Sequence, residues 1–310
     1  MKPAISPETI KALPDTPGVY LFYGTLGELL YVGKSRAIRT RVRSHFSAPE
    51  EKWLTRRIRR IEARRTAGEL GALLLESQLI KEHRPMFNVA SRRRRRIMVA
   101  RRIEDKRGYA GVELEAVEYL KFEDGSPIMA IFKHRTQAKE YLKLIARKHR
   151  LCPKLLGLEA ARTYCFSFHL GHCNGACMGE EDVQKYNERF ETAFEERRVK
   201  AWPYEGGVLV EERSGSAEER ELFLLDNWCL VASYTLTGAG LTEHIRGNHR
   251  FDYDSYKILL SFLSSSGNAH FIRCLPREEF DRVLKGGDRS LLNHGSFSTK
   301  VTKEHEGKIF

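Results

Sequence analysis

The hydrophobic periodicity of the chain changes at Gly33. Residues 17–33 read PGVYLFYGTLGELLYVG, two apolar and aromatic stretches that are typical of strands and are separated by a glycine-containing turn. After Gly33 the apolar residues recur at helical spacing, with arginines between them. The sequence therefore predicts a β-hairpin followed by a basic amphipathic helix within residues 35–49.

Segments further along the chain alternate between the spacing of apolar residues that is typical of strands and the spacing that is typical of helices. We expect helices over residues 53–61 and 69–83, the second ending at Arg84-Pro85 because proline disfavours helix in the residue before it. The other predicted elements are strands in IMVARRI, GVELEAVEYL and PIMAIF, helices over 136–148 and 181–199, and an antiparallel C-terminal meander followed by a helix over 256–263. This mixture predicts an α+β fold.

Changes in composition predict three domains. Arg92–Arg96 are five consecutive arginines, whose mutual repulsion disfavours compact packing, so we interpret them as a linker or an arm that lies against phosphates. The first domain is then expected over residues 1–92 and a small α/β region with a cysteine cluster over 93–200. A β-rich C-terminal domain is expected over 201–310.

Charge points to a polyanionic partner. The formal net charge is +12, and residues 34–65 hold twelve Lys and Arg against three Glu. A basic surface can serve solubility alone, but clustering of the charge favours nucleic-acid binding.

Neither a membrane span nor a signal peptide is found in the sequence. No apolar run approaches the ~20 residues that cross a bilayer, and the first fifteen residues lack the features of a secretory signal. We therefore expect a cytoplasmic protein with no membrane partner. In that reducing compartment the six cysteines are not expected to form a disulfide framework.

Four of the cysteines predict a metal site. Cys152, Cys165, Cys173 and Cys177 have the spacing C-x12-C-x7-C-x3-C, and four thiolates so close in sequence can complete a tetrahedral site. The spacing differs from the repeated CxxC pairs of zinc ribbons. Packing of small apolar side chains is the alternative explanation, and it is the one we favour for Cys229 and Cys274.

The N-terminal residues resemble a known family of nucleases. GVY at 18–20, YVGKS at 31–35, Arg41, Glu76 and FN at 87–88 match the GIY-YIG pattern in order and spacing, and residues 14–90 as a whole resemble its UvrC branch. The resemblance implies a small antiparallel sheet flanked by helices. It also implies metal-dependent hydrolysis of DNA.

Glu76 is the candidate metal ligand. It lies in an apolar helix face, where an isolated carboxylate carries a desolvation cost of several kcal/mol unless a cation compensates it. Mg²⁺ or Mn²⁺ accepts one carboxylate together with waters and a substrate phosphate. The alternative is an ion pair with a neighbouring Lys or Arg that serves the fold alone.

Three basic side chains are candidates for contacting the phosphate. Arg41 and His45 are four residues apart and share a helix face, and the guanidinium of Arg41 matches phosphate geometry. Lys34 offers a second, more mobile charge, although Lys34 and Arg41 could equally be ordinary backbone contacts. His45 stands where many UvrC proteins carry tyrosine, and a solvated surface position is its alternative.

The resemblance also assigns roles to Tyr20, Tyr31 and Asn88. One tyrosine acts as the general base or positions it, and Asn88 holds the site together. A free phenol has a pKa of ~10, so we expect Lys34, Arg41 and the metal to lower it. Gly18 and Gly33 are expected to permit tight backbone geometry only.

By resemblance, the four cysteines hold a 4Fe-4S cluster, with Zn²⁺ as the alternative. Their distance in sequence from Glu76 favours a structural role for that centre.

The function implied by the resemblance is incision of damaged double-stranded DNA on the 3′ side of a lesion, after UvrA has loaded UvrB. Full-length UvrC also has a UvrB-binding segment, a second nuclease domain and helix-hairpin-helix motifs, which we do not find here. The shorter UvrC homologues are therefore the better match.

Residues 201–310 are a candidate contact with DNA or UvrB. The alternatives are a GIY-YIG nuclease that acts alone and a noncatalytic nucleic-acid-binding protein.

Overall fold

A computed structural model describes residues 5–88, 97–117, 127–160, 163–215, 219–246, 251–286 and 292. The chain forms two compact units. One joins Met1–Arg94 with Trp202–Phe310, and the other comprises Arg95–Ala201. The predicted arginine linker or arm, Arg92–Arg96, lies outside the described residues.

The N-terminal part is built on a three-stranded antiparallel sheet. Its strands are β1 (Gly18–Tyr23), β2 (Leu29–Ser35) and β3 (Arg60–Arg65), in the order β2-β1-β3. The first two form the predicted hairpin, which is thereby confirmed. Its turn is closed by hydrogen bonds from the backbone N–H groups of Gly24 and Gly27.

Helices cover both faces of this sheet. They are α1 (Pro7–Lys11), α2 (Ile38–Ser47), α3 (Lys52–Thr55) and α4 (Glu69–His83). Because side chains alternate along a strand, Tyr20 and Phe22 of β1 pack with the core residues of α2, while Val19 and Leu21 pack with those of α4. The predictions of α2 and α4 are confirmed.

The predicted helix over residues 53–61 is wrong in its second half. Helix α3 ends at Thr55, and β3 begins at Arg60. Strand β3 pairs with β1 along its whole length, from Arg60 opposite Tyr23 to Arg65 opposite Gly18. This pairing with a strand far away in sequence overrides the local helical pattern.

The middle unit has its own sheet and core. Strands β4 (Ile97–Glu104), β5 (Ala110–Val117) and β6 (Ile128–Phe132) run antiparallel in the order β5-β4-β6, as the three apolar segments predicted. Helices α5 (Arg135–Lys148), α6 (Phe166–His169) and α7 (Val183–Phe194) accompany them. Helix α7 is shorter than the predicted 181–199.

The C-terminal part confirms the predicted meander. Its sheet contains β7 (Gly207–Arg213), β8 (Arg220–Asp226), β9 (Cys229–Thr237), β10 (Gly240–Arg246) and β11 (Ile272–Leu275), in the antiparallel order β10-β9-β8-β7-β11. Two helices, α8 (Tyr253–Leu263) and α9 (Arg277–Leu284), complete it. Across the described part of the chain, no helix combines the length and apolarity needed to span a bilayer.

Candidate functional site

Two tyrosine rings meet over a glycine on the face of the N-terminal sheet that α2 covers. The ring centroids of Tyr20 and Tyr31 are 6.2 Å apart, and Gly33 is the cross-strand partner of Tyr20. A Cβ atom at position 33 would lie 2.3 Å from the Tyr20 hydroxyl and 2.8 Å from Cε1 of Tyr31. Gly33 therefore makes space for the rings, a different role from the backbone geometry that we expected.

His45 is buried beside these rings, with 2% of its surface exposed. Its Nε2 atom is 2.7 Å from the Tyr20 hydroxyl, and its Nδ1 atom contacts a carboxylate oxygen of Glu51. The solvated surface position considered for His45 is therefore wrong. Sequence reasoning also missed Glu51, which the 3₁₀ turn Pro49–Glu51 brings back towards the end of α2.

The protonation states along this line of contacts follow from the burial. Desolvation lowers the pKa of His45, although the hydrogen bond and charge of Glu51 oppose the change. A neutral imidazole has one donor and one acceptor nitrogen. When Nδ1–H donates to the Glu51 carboxylate, Nε2 accepts from the Tyr20 hydroxyl. Tyr20, His45 and Glu51 thus form a directed chain of hydrogen bonds.

Neither tyrosine is prepared to ionise unaided. Burial raises the pKa of both Tyr20 and Tyr31, and Arg41 lowers each pKa only in part. The expectation that basic side chains would lower these values does not hold for the net effect, because desolvation outweighs Arg41. A proton acceptor beside the phenol is therefore needed if either tyrosine is to take a proton.

Glu76 lies within two turns of the start of α4 and is half-buried. Its Oε1 atom accepts a hydrogen bond from the backbone N–H of Lys34 at 3.1 Å. Burial raises the pKa of Glu76, while that N–H and the Lys34 charge lower it. Among the described residues Glu76 forms no ion pair with a basic side chain, which argues against the structural ion-pair alternative. Its charge raises the pKa of both Tyr20 and Tyr31.

The Glu76 carboxylate borders an open cleft of about 930 Å³. The cleft is also lined by residues of β7, α8 and the 3₁₀ turn Ser266–Phe271, among them Glu212, Lys257 and Phe271. An ion bound at Glu76 could therefore be reached from solvent.

Lys34 and Asn88 connect β2 to the start of α4 and to the segment that follows it. The Lys34 ammonium is 3.5 Å from a carboxylate oxygen of Glu69. Asn88 accepts a hydrogen bond from the Val32 N–H at 2.9 Å and donates one to the Val32 carbonyl at 2.8 Å. The chain that leaves α4 is thereby fastened to β2.

The structure thus brings the predicted residues into one region of the N-terminal sheet and its two flanking helices. These residues are Tyr20, Tyr31, Lys34, Arg41, His45, Glu76 and Asn88.

Three of the four predicted cysteine ligands meet in the core of the middle unit. The sulfur atoms of Cys152, Cys165 and Cys173 lie within 4.8 Å of one another, and all three residues are buried. Cys177 is half-buried, and its sulfur accepts a hydrogen bond from the Cys165 N–H at 3.4 Å. A hydrogen bond from Cys152 lowers the pKa of Cys173. These four soft donors fit a zinc ion or an iron–sulfur cluster.

Cys229 is buried in the C-terminal part as expected, whereas Cys274 is only half-buried.

Family models match three consecutive parts of the chain. They are the UvrC-like GIY-YIG domain at residues 16–89, the middle domain of UvrC/Cho excinuclease at residues 92–196 and the C-terminal domain of excinuclease Cho at residues 207–278.

Individual relatives agree with these models. The chain is 39% identical to excinuclease cho of Escherichia coli (strain K12) over 257 residues, which cover 82% of this chain and 84% of the relative. It is 35% identical to the UvrABC system protein C of Desulforudis audaxviator over 205 residues, which cover 60% of this chain and 30% of that relative.

The N-terminal part also matches a solved structure. This is the GIY-YIG N-terminal endonuclease domain of UvrC from Thermotoga maritima bound to magnesium, with 32% identity, 26% of this chain covered, 92% of that chain covered and a TM-score of 0.25. The family models and the long match to the E. coli excinuclease decide the assignment. The chain belongs to the UvrC/Cho excinuclease family, whose members cut DNA with a GIY-YIG endonuclease domain.

Proposed function

We propose that this metal-dependent endonuclease makes the 3′ incision beside lesions in nucleotide excision repair, on double-stranded DNA that UvrA and UvrB have prepared. The observation that carries the proposal is Glu76, a half-buried carboxylate that makes no ion pair among the described residues, borders an open cleft and raises the pKa of both phenols. The match to a UvrABC system protein supports the repair context. The basic segment 34–65 supports binding of a polyanion.

Glu76 is the residue that would hold Mg²⁺ or Mn²⁺, with waters and the substrate phosphate as the remaining ligands. Such an ion, when bound, would polarise the phosphate and stabilise the leaving oxygen. Arg41 lies on the solvent-exposed side of α2 near Tyr20, where its guanidinium can donate to the phosphate oxygens. Lys34 adds a second positive charge next to Glu76.

The chain of contacts at Tyr20 supplies a route for the proton of the attacking water. In this proposal the Tyr20 oxygen accepts that proton while the phenol passes its own proton to Nε2 of His45. The Glu51 carboxylate stabilises the imidazolium that forms, as the carboxylate does in a Ser-His-Asp triad. The water oxygen bonds to phosphorus, the bond to the leaving oxygen breaks, and that oxygen takes up a proton from solvent water. Tyr31 orients the water, and Asn88 keeps β2 in place through Val32.

Cleavage of a duplex with one bulky lesion tests this function. The wild-type protein is expected to nick the damaged strand on the 3′ side only when a divalent metal, UvrA and UvrB are present. Glu76→Ala is expected to lose at least about a hundredfold in rate, because the metal loses its protein ligand. Glu82→Ala, an exposed change on the same helix, is the matched control and should cut normally.

Two outcomes contradict the proposal in different ways. Efficient nicking of undamaged DNA by the protein alone would remove the repair assignment and leave a stand-alone nuclease. Retained activity in Glu76→Ala would remove the metal site itself.

For the cysteines we propose a 4Fe-4S cluster held by Cys152, Cys165, Cys173 and Cys177, with Zn²⁺ as the alternative. Such a centre would cross-link segments of the middle core that are otherwise joined by loops. Metal analysis of anaerobically purified, iron-supplied protein decides between the two. Iron with brown colour supports the cluster, and stoichiometric zinc supports the alternative.

A further inference from the structure

Two glutamates of the C-terminal sheet lie side by side although they carry the same charge. Glu212 on β7 and Glu221 on β8 are direct cross-strand partners. Like charges at such positions repel each other and destabilise a sheet. Burial also raises the pKa of both carboxyl groups, so their environment does not favour the charged form. The pair therefore needs a compensating partner, and the described residues show which one.

That partner is the N-terminus of α4 in the nuclease domain. The N–H groups of Leu70 and Gly71 donate to the two carboxylate oxygens of Glu212 at 2.9 and 2.8 Å. The N–H of Ala67 donates to Glu221 at 3.0 Å. The first N–H groups of a helix have no partner within the helix, and they favour negative charge.

The segment around the start of α4 supplies no cap of its own. Its N-cap residue is Gly68, which has no side chain to accept a hydrogen bond. The absence of side chains also gives the glutamates room. A Cβ atom at Gly68 would lie 2.4 Å from the carboxyl carbon of Glu212, and one at Gly71 would lie 2.2 Å from a carboxylate oxygen of Glu221. The C-terminal sheet thus caps a helix that the nuclease domain leaves uncapped.

The other end of α4 is held by the same part of the chain. Lys81, in the last turn of α4, forms an ion pair with Asp252. Asp252 is the N-cap of α8 and accepts a hydrogen bond from the Ser255 N–H at 2.9 Å. Helix α4 is therefore fixed at both ends by the C-terminal part, and Glu76 lies between the two attachments.

We propose that Glu212 and Glu221 are positioning residues for DNA cleavage, which hold α4 so that Glu76 faces the scissile phosphate. This inference rests on the proposed role of Glu76 as the metal ligand. A catalytic group must be placed to within a fraction of an ångström, and a displacement of about 1 Å can cost a hundredfold in rate. The C-terminal domain then acts as part of the active-site framework of the nuclease.

The test compares two buried glutamates of the same strand in the full-length protein. Glu212→Ala removes the cap of α4. Glu211→Gln is the matched control, since Glu211 is equally buried on β7 but pairs with Arg213 and Arg220 instead of α4. The hydrogen-exchange rates of the α4 backbone amides show whether the start of the helix is still capped, and this measurement does not depend on cleavage activity. Single-turnover cleavage over a range of DNA concentrations reports its effect on the reaction.

In Glu212→Ala we expect amides in the first two turns of α4 to exchange at least about tenfold faster. We expect the maximal cleavage rate to fall about tenfold, because the placement of Glu76 is disturbed. The DNA concentration that gives half-maximal rate should change less than about twofold, because DNA binding is not disturbed. Glu211→Gln should leave both readouts near the wild-type values. Glu212→Gln keeps an acceptor oxygen for one of the two N–H groups. Its exchange and cleavage rates should therefore lie between those of Glu212→Ala and Glu211→Gln.

A second variant covers the case in which Glu212→Ala does not fold. Gly71→Ala keeps both carboxylates but places a methyl group against Glu221, and we expect the same loss of maximal rate. The proposal fails if Glu212→Ala and Gly71→Ala resemble Glu211→Gln, or if only the half-maximal DNA concentration changes. Should Glu76→Ala prove fully active, the proposed function fails, while the exchange data still decide whether the glutamates cap α4.

Discussion

At the scale of single residues, the space between the two phenols depends on the missing side chain of Gly33. Gly33→Ala would place a methyl group well inside contact distance of both the Tyr20 hydroxyl and the Tyr31 ring. Because Tyr20 is buried in the core and Tyr31 packs against it, the rings can move aside only by losing their mutual geometry. We expect a rate loss of about a hundredfold in the lesion-duplex assay. Gly238→Ala, where a Cβ meets nothing within 4 Å, is the control and should cut normally.

The partnership of His45 and Glu51 predicts a shift in the pH profile. Tyr20 can pass a proton to His45 only while the imidazole is neutral, so the rate should fall as the pH drops through the pKa of His45. The Glu51 charge raises that pKa, so Glu51→Gln lowers it. We therefore expect the acidic limb of the single-turnover rate in Glu51→Gln to move to lower pH.

The maximal rate of Glu51→Gln should also fall by about tenfold or more, because the imidazolium loses its stabilising carboxylate. An acidic limb that stays where the wild-type limb lies would show that His45 is not the group that titrates. Glu50→Gln, a change at the neighbouring residue of the same turn, serves as the control.

At the scale of elements, local patterns predicted those parts of the fold whose signals are local. Helix α4 was predicted with the observed bounds, Glu69–His83, because periodicity and the following proline agree. Strand β3 was not predicted, because it depends on pairing with β1, a strand far away in sequence.

In the candidate site, too, the residues of a sequence motif could be predicted, whereas contacts that depend on the folded chain could not. Family resemblance supplied Tyr20, Glu76 and the other named residues. It could not supply the cap of α4 by Glu212, because the two partners are 142 positions apart. Glu51 lies only six positions from His45, but a turn had to be known before the contact could be inferred.

The contact between the C-terminal sheet and α4 also predicts how stability depends on pH. Burial raises the pKa of Glu221 from 4.5 to about 7, so the folded protein binds this proton more tightly than the unfolded chain does. The stabilisation is fully present below pH 4.5 and is lost as the pH rises towards 7, by up to roughly 3 kcal/mol. Glutamine is neutral throughout and can still accept from the Ala67 N–H.

Glu221→Gln should therefore gain stability relative to wild type as the pH rises from 5 to 8. Urea unfolding of both proteins at these two pH values measures the difference. A difference between the proteins that is the same at both pH values would show that Glu221 does not titrate in the expected range.

At the scale of the whole molecule, the two compact units separate the candidate nuclease site from the cysteine cluster. Tyr20, Glu76 and the glutamates that cap α4 all belong to the unit formed by Met1–Arg94 and Trp202–Phe310, whereas the four clustered cysteines belong to Arg95–Ala201. The cysteines pack in the core of that second unit, with residues of β4, α5 and α7. A metal held there should stabilise its own unit before it affects α4.

This separation predicts a local effect of losing the metal. Cys173→Ala in the full-length protein should lower the bound metal to well below stoichiometric amounts and accelerate hydrogen exchange in α5 and α7 by about tenfold or more. Exchange in α4 should remain within about twofold of wild type, because the described core of the middle unit contains no residue of α4. Cys274→Ala, at a half-buried cysteine of the other unit, should leave the metal content unchanged. Faster exchange in α4 on loss of the metal would instead mean that the cysteine centre supports the nuclease site directly.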